Sequence, residues 1–167
     1  MVFNFLNRFL FWSPIFGSLS SLILLIIAFS YEYFGGLVPC QMCEWQRWSH
    51  LGVILFCFFS FLSKNYSYQF FLLAGFFALL SSIIGGWHAG IETGLFKGLE
   101  SCSNFDFNPN NSLLDLMETP IKNCDVVVWS FLGLSMAAWN AILSFIIFFY
   151  CIFFGFLKRK ANNDYSK

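Results

Sequence analysis

A chain of 167 residues that is 58% hydrophobic, 22% aromatic and only 11% charged, with a mean hydropathy of +0.68, carries more apolar surface than a soluble domain of that size can bury. Nine Lys and Arg balance nine Asp and Glu, for a net charge of zero. That balance, with no basic patch, excludes nucleic acid as a partner and points to the lipid bilayer as the surroundings of the chain.

Crossing a bilayer takes about 20 apolar residues, and stretches of that kind run over 14–33, 44–63, 68–87 and 136–156. The last lies inside a longer apolar segment, 126–156, whose first part is read as interfacial. The pattern predicts an all-α membrane protein, a bundle of four transmembrane helices with two outer loops, folded as a single domain over 1–167 with a disordered polar tail from about Ala161. The apolar stretch after Arg8 is long and lacks an A-x-A cleavage pattern, so the first helix is expected to be retained rather than removed as a signal peptide. Trp12, Trp45, Trp48, Trp87 and Trp129 fall near the ends of these segments, where an amphipathic ring prefers the headgroup zone.

The cations set the orientation. Arg8, Lys64, Lys158, Arg159, Lys160 and Lys167 all lie on one side of the expected spans, whereas Arg47, Lys97 and Lys122 lie on the other. The positive-inside rule then puts both termini in the cytoplasm and both cysteine-bearing loops outside, in an oxidising compartment where disulfides persist.

The first outer loop, YEYFGGLVPCQMC, is short, with Gly35, Gly36 and Pro39 forming a turn ahead of the second helix. The second runs over 88–125. Within it Leu113, Leu114, Leu116 and Met117 recur at helical spacing after Ser112, a candidate N-cap with Asp115 three residues on. These leucines either form a short interfacial helix on the membrane surface or pack on the bundle, and Pro120 ends both versions.

Chemistry begins at Cys40 and Cys43. Their two-residue spacing at the start of a helix allows a small, readily opened disulfide, and a helix N-terminus favours a nearby thiolate. Arg47 follows Cys43 by four residues, one helical turn along the same face, where an always-cationic guanidinium is expected to stabilise a Cys43 thiolate. Cys102 and Cys124 occupy the second outer loop. Zinc bound by the four outer cysteines is the competing reading, weakened because Cys102 and Cys124 form no second C-x-x-C. Cys57 and Cys151 lie within apolar spans and read as small packing residues. Glu44 and Gln46 read as solvated edge residues, and His50 as a residue packed against a neighbouring helix.

In this order and topology the fragments PCQMCEWQR, GGWHAG and WSFLGLSMAAWN, with two cysteines in the second outer loop, resemble the DsbB-type disulfide bond formation proteins, a family of quinone-dependent membrane thiol oxidases. The resemblance covers nearly the whole chain except 103–122. It implies a four-helix protein of the bacterial inner membrane, with periplasmic cysteine loops, that reoxidises a periplasmic DsbA-like thiol oxidase and passes the electrons to ubiquinone or menaquinone. By position it implies that Cys102 exchanges with the partner's sulfur, that Cys124 is its disulfide mate, and that electrons move on to Cys40 and Cys43. Cys43 would then react with bound quinone, through a thiolate charge-transfer or covalent adduct, while Arg47 holds a quinone oxygen. His88, at the outer end of the third helix, would orient quinone or relay protons. Two other classes stay open: a vitamin-K-epoxide-reductase-like enzyme, against which the early position of the C-x-x-C argues, and a non-enzymatic scaffold held by structural disulfides or zinc.

Overall fold

The computed structural model describes residues 2–63, 65–98 and 124–165. Four helices carry the fold: α1 (Val2–Tyr33), α2 (Gln41–Leu62), α3 (Ser67–Glu92) and α4 (Met136–Tyr165). Apart from one small hairpin, all regular structure among the described residues is helical. The helices pack in the cyclic order α1, α2, α3, α4, with α4 closing against α1. Short connections after α1 and α2 fold the chain back on itself, as expected for neighbouring helices of a bundle.

The bundle is apolar outside and polar within. Ser13, Ser21, Ser81 and Ser144 are fully buried, while Phe16, Ile23, Ile26, Phe76, Ile83 and Phe149 are exposed. That inversion is stable only where the surroundings are hydrocarbon. Among the described residues, three helical segments are long and apolar enough to cross a membrane: Arg8–Tyr33, Ser67–Glu92 and Met136–Asn162. The outer turns of α2 carry Gln41, Glu44, Gln46, Arg47, Ser49 and His50, the polar load that separates it from the other three.

Small residues let the helices approach closely, the packing device available where lipid offers no hydrophobic drive. A Cβ added at Gly85 of α3 would meet the Ala137 carbonyl oxygen and the Ala141 nitrogen of α4 at 3.1 Å. The central core, Val53, Cys57, Phe71, Ala74, Ala78, Ile147 and Cys151, fills the space between α2, α3 and α4. Cys57 and Cys151 thus pack as core residues, as expected from their positions.

Several boundaries differ from those expected. Helix α1 begins at Val2 rather than near 14 and accommodates Pro14 within it. Helix α3 continues to Glu92 rather than ending at 87, and His88 lies one turn before its end. Helix α4 runs to Tyr165 where a disordered tail was expected from Ala161. Consecutive i to i+4 bonds tolerate polar side chains at an exposed end, and apolar content marks the span, not the helix. The segment expected to be interfacial forms an antiparallel hairpin of β1 (Ser130–Phe131) and β2 (Leu134–Ser135). Leu132 (φ 53) and Gly133 (φ 80) form its two-residue loop, both left-handed, the conformation that matches the twist of paired strands. The Trp139 indole N–H donates to the Phe131 carbonyl at 3.0 Å, and Trp129 stacks on Phe131 while meeting Tyr31 of α1. The hairpin is thereby fixed over the outer end of the bundle. The leucine cluster around Leu113 lies outside the described residues.

Candidate active site

Helix α1 ends in a turn in which Gly36, at φ 65, donates its N–H to the Glu32 carbonyl. The chain then reaches Cys40, the N-cap of α2, whose extended backbone (φ −77, ψ 169) lets its sulfur accept the Cys43 N–H at 3.3 Å. The side chain of Cys40 therefore satisfies an N–H that the first turn of a helix leaves open. Both residues are free thiols, their sulfurs 3.0 Å apart.

The charge in this pair rests on Cys40. The hydrogen bond with Cys43 holds the Cys40 thiol down at about 4 against an ordinary 9.0, burial opposes this, and His88 adds to it. Arg47, expected to stabilise a Cys43 thiolate, is engaged on α1: its guanidinium pairs with Glu32, donates to the Ala28 carbonyl at 3.2 Å and lies 4.6 Å from the centre of the Phe29 ring. A neutralised guanidinium projects little field onto a thiol one turn away.

His88 faces Cys40, with Nε2 3.7 Å from its sulfur, and Glu92 one turn further on places Oε1 3.9 Å from the same nitrogen. Cys40, Cys43 and His88 bring their donor atoms within 4.8 Å of one another, a set that also suits a thiophilic divalent cation. Cys124 is disulfide-bonded. It is buried in one cluster with Cys40, Met42 and Ile91, and Cys43 packs against that cluster. Of the six site residues expected from the sequence, Cys40, Cys43, Arg47, His88 and Cys124 gather at the end of the bundle where α2 begins, and Cys102 lies outside the described residues.

Beside the dithiol lies a cavity of 410 Å³ between α1, α2, α4 and the hairpin, lined by Cys43, Arg47 and His88 with largely apolar walls such as Leu24, Val128 and Leu143. Its volume falls in the range of small-molecule sites. At its inner end sit residues that sequence reasoning passed over. Gln46, read as a solvated edge residue, is only 7% exposed, and its Oε1 accepts from Asn140 Nδ2 at 2.8 Å. His50 does pack against neighbouring helices, but through hydrogen-bond contacts rather than apolar ones: Asn140 at 2.9 Å, Ser81 at 3.2 Å and Ser21 at 3.3 Å. Glu32, the sole acidic residue in α1, was the readable signal. A lone carboxylate at the end of an apolar span calls for a partner, and Arg47 is the arginine of the outer turns.

A family model described as "Disulfide bond formation protein DsbB" matches residues 11–154. The chain is 29% identical over 143 residues to "Disulfide bond formation protein B" of Psychromonas ingrahamii, covering 82% of this chain and 77% of that protein. It is 29% identical over 157 residues to "Disulfide bond formation protein B 2" of Pseudomonas aeruginosa, covering 87% and 86%, and 31% identical over 133 residues to the Pasteurella multocida "Disulfide bond formation protein B", covering 74% and 73%. No solved structure gives a significant match. A matched stretch that enters all four helices and contains both cysteine pairs decides the assignment: the chain belongs to the DsbB family, multi-pass membrane oxidoreductases of disulfide bond formation.

Proposed function

We propose that this protein reoxidises a periplasmic DsbA-like thiol oxidase and passes the electrons to membrane quinone, ubiquinone or menaquinone. The observation that carries this reading is one of adjacency. The buried, disulfide-bonded Cys124 packs in one cluster with Cys40, and Cys43, its C-x-x-C mate, lines the cavity. Thiols arriving from solution and an oxidant arriving from lipid are thereby joined through neighbouring sulfurs.

The steps follow from thiol–disulfide exchange. The partner's thiolate attacks Cys102 of a Cys102–Cys124 disulfide and releases Cys124. Cys124, packed against Cys40, attacks the Cys40 sulfur of the oxidised dithiol and releases Cys43. With Cys40 bound elsewhere, Cys43 is left as the leaving thiolate facing the cavity. His88 holds or returns a proton at the Cys40 sulfur. The partner's second thiol then displaces Cys102, Cys102 displaces Cys40 from Cys124, and Cys40 re-forms its disulfide with Cys43; that last oxidation would pass two electrons and two protons to quinone, so the net change is one partner disulfide formed and one quinol released. Cavity size, apolar walls and a buried donor at the inner end suit a quinone ring.

In this reading α2 is the fourth crossing. At about 1.5 Å per residue its 22 residues reach about 33 Å, and packing between α1 and α3 covers its polar turns. Both termini lie in the cytoplasm of a bacterial cell and the cysteine loops in the periplasm of its inner membrane. Reporters fused after Lys160 are expected to be cytoplasmic, and reporters inserted in 103–122 periplasmic. The reverse pattern would place the cysteines in a reducing compartment and end this reading.

The direct test is quinone reduction by the purified protein with a reduced DsbA-like partner, followed by the loss of quinone absorbance. A rate no faster than that of partner and quinone alone would reject the proposal. Stoichiometric zinc in the same preparation would instead favour the scaffold reading, which rests on the Cys40, Cys43 and His88 donor set. Arg47→Gln is expected to raise the quinone KM about tenfold or more, since a charged hydrogen bond contributes about 1.5 to 3 kcal/mol and each 1.4 kcal/mol is tenfold. Single-turnover exchange with the partner should change far less, and an unchanged KM would reduce Arg47 to an anchor for α1 through Glu32.

A further inference from the structure

The polar groups buried between the helices below the dithiol form a directed chain. Ser21 Oγ of α1 lies 3.3 Å from His50 Nδ1 of α2, and His50 Nε2 lies 2.9 Å from Asn140 Oδ1 of α4. Asn140 Nδ2 donates to Gln46 Oε1 of α2 at 2.8 Å and to Ser81 Oγ of α3 at 3.2 Å. Each contact fixes the polarity of the next. An Asn140 carbonyl facing His50 requires the Nε2–H tautomer, which leaves Nδ1 to accept from Ser21. An Asn140 amide facing Gln46 requires Gln46 to present its oxygen there.

The chain therefore ends on a donor. Gln46 Nε2 is buried and finds no hydrogen-bond partner among the described residues. Gln46, His50 and Asn140 all line the cavity, so the residue that carries this unpartnered N–H belongs to its wall. Burying so many polar groups within an apolar bundle and leaving the last donor open costs stability unless a ligand completes it.

Arg47 and Gln46 diverge from consecutive positions of α2. The arginine is held on α1 by Glu32 and Ala28, and the glutamine on α4 by Asn140. Two donors of one cavity, leaning toward different helices, suit a ligand with acceptors at opposite ends of a flat ring. Resting on the quinone reading above, we propose that Gln46 donates its free amide N–H to one quinone carbonyl oxygen while Arg47 holds the oxygen across the ring. Gln46 is then a second binding residue for quinone, and Asn140 and His50 are positioning residues that set which atom Gln46 presents.

The full-length protein in detergent, loaded with ubiquinone-1 carrying ¹³C at its carbonyls, tests this by isotope-edited infrared spectroscopy. Wild-type protein should show both carbonyl stretches lowered from their free positions. Gln46→Met should return one of them to the free position and weaken ubiquinone-1 binding about tenfold with the melting temperature retained. Asn140→Leu should give the same spectral change in part, because the glutamine amide is then free to turn. A ¹⁵N spectrum of His50 reads the polarity of the chain without any variant: the Nε2–H tautomer is expected, and the Nδ1–H tautomer would turn Gln46 Oε1 to the cavity and overturn the proposal. One unshifted carbonyl in the wild type, or equal affinity in folded Gln46→Met, would also overturn it. Wild-type protein that binds neither ubiquinone-1 nor a menaquinone analogue would instead remove the quinone reading, and this inference with it.

Discussion

Replacing Cys43 with alanine is expected to abolish quinone-linked turnover and, at the same time, to change how Cys40 responds to pH. The first effect follows because Cys43 lines the cavity and its removal leaves the C-x-x-C with a single sulfur that cannot re-form a disulfide. The second is the sharper test. In the reduced protein the Cys40 thiol is held at about 4 chiefly by its hydrogen bond with Cys43. Because the thiolate is the reactive form, alkylation of wild-type Cys40 by iodoacetamide should hold steady as the pH falls from about 8 to about 6, and should decline only near the lowered value. In Cys43→Ala the thiol moves back toward its ordinary 9.0, so alkylation should fall over the same window. The fall is up to about a hundredfold, ten for each pH unit. His88 remains as a smaller influence and makes that figure an upper bound. Cys40 is buried, so absolute rates are slow and the shape of the profile carries the information. Mass spectrometry of the labelled peptide gives it, and parallel profiles in the two proteins would show that Cys43 does not hold the Cys40 charge.

Cys124→Ala is expected to cut the relay in the middle. The variant loses the sulfur that packs against Cys40, so electrons delivered to the second outer loop cannot reach the dithiol and partner-driven quinone reduction should fall to the uncatalysed rate. Cys102, without its mate, should attack the oxidised partner and hold it as a mixed disulfide, since the thiol that would displace the partner is gone. Non-reducing electrophoresis should show a partner-sized adduct that dithiothreitol removes. An adduct mapped to Cys40 instead would reverse the proposed order of the two pairs, and normal turnover in the variant would remove Cys124 from the path.

The two predictions differ in how much of their basis was visible before folding. The C-x-x-C, the second-loop cysteines and the apolar stretches are local signals. A sulfur two residues from another is close to it in any helix start, and an apolar run of bilayer length reads the same whatever packs beside it. Membrane character, the helical elements and the identity of the thiols were legible for that reason. The hairpin at 130–135 was hidden by the same logic, because Val126, Val127, Val128 and Trp129 continue the apolar run of α4 and only the left-handed pair Leu132 and Gly133 breaks it.

What packing decided is which groups meet across helices. Four-residue spacing puts Arg47 one turn from Cys43, yet its ion-pair partner is Glu32, 15 positions away on α1, and the Cys40 thiol is lowered chiefly by its hydrogen bond with Cys43. Gln46 precedes Arg47 by one residue, which on a helix is a turn of about 100°. That rotation buries it against Asn140, 94 positions away, instead of leaving it in solvent. The sequence alone determined a membrane-embedded helical chain with a C-x-x-C at the start of its second helix, since those features depend on composition and near neighbours. The location of charge, the Gln46–Asn140–His50 chain and the placing of Cys124 beside Cys40 were decided only in the tertiary structure, because hydrogen bonds and ion pairs depend on distances that helix packing sets.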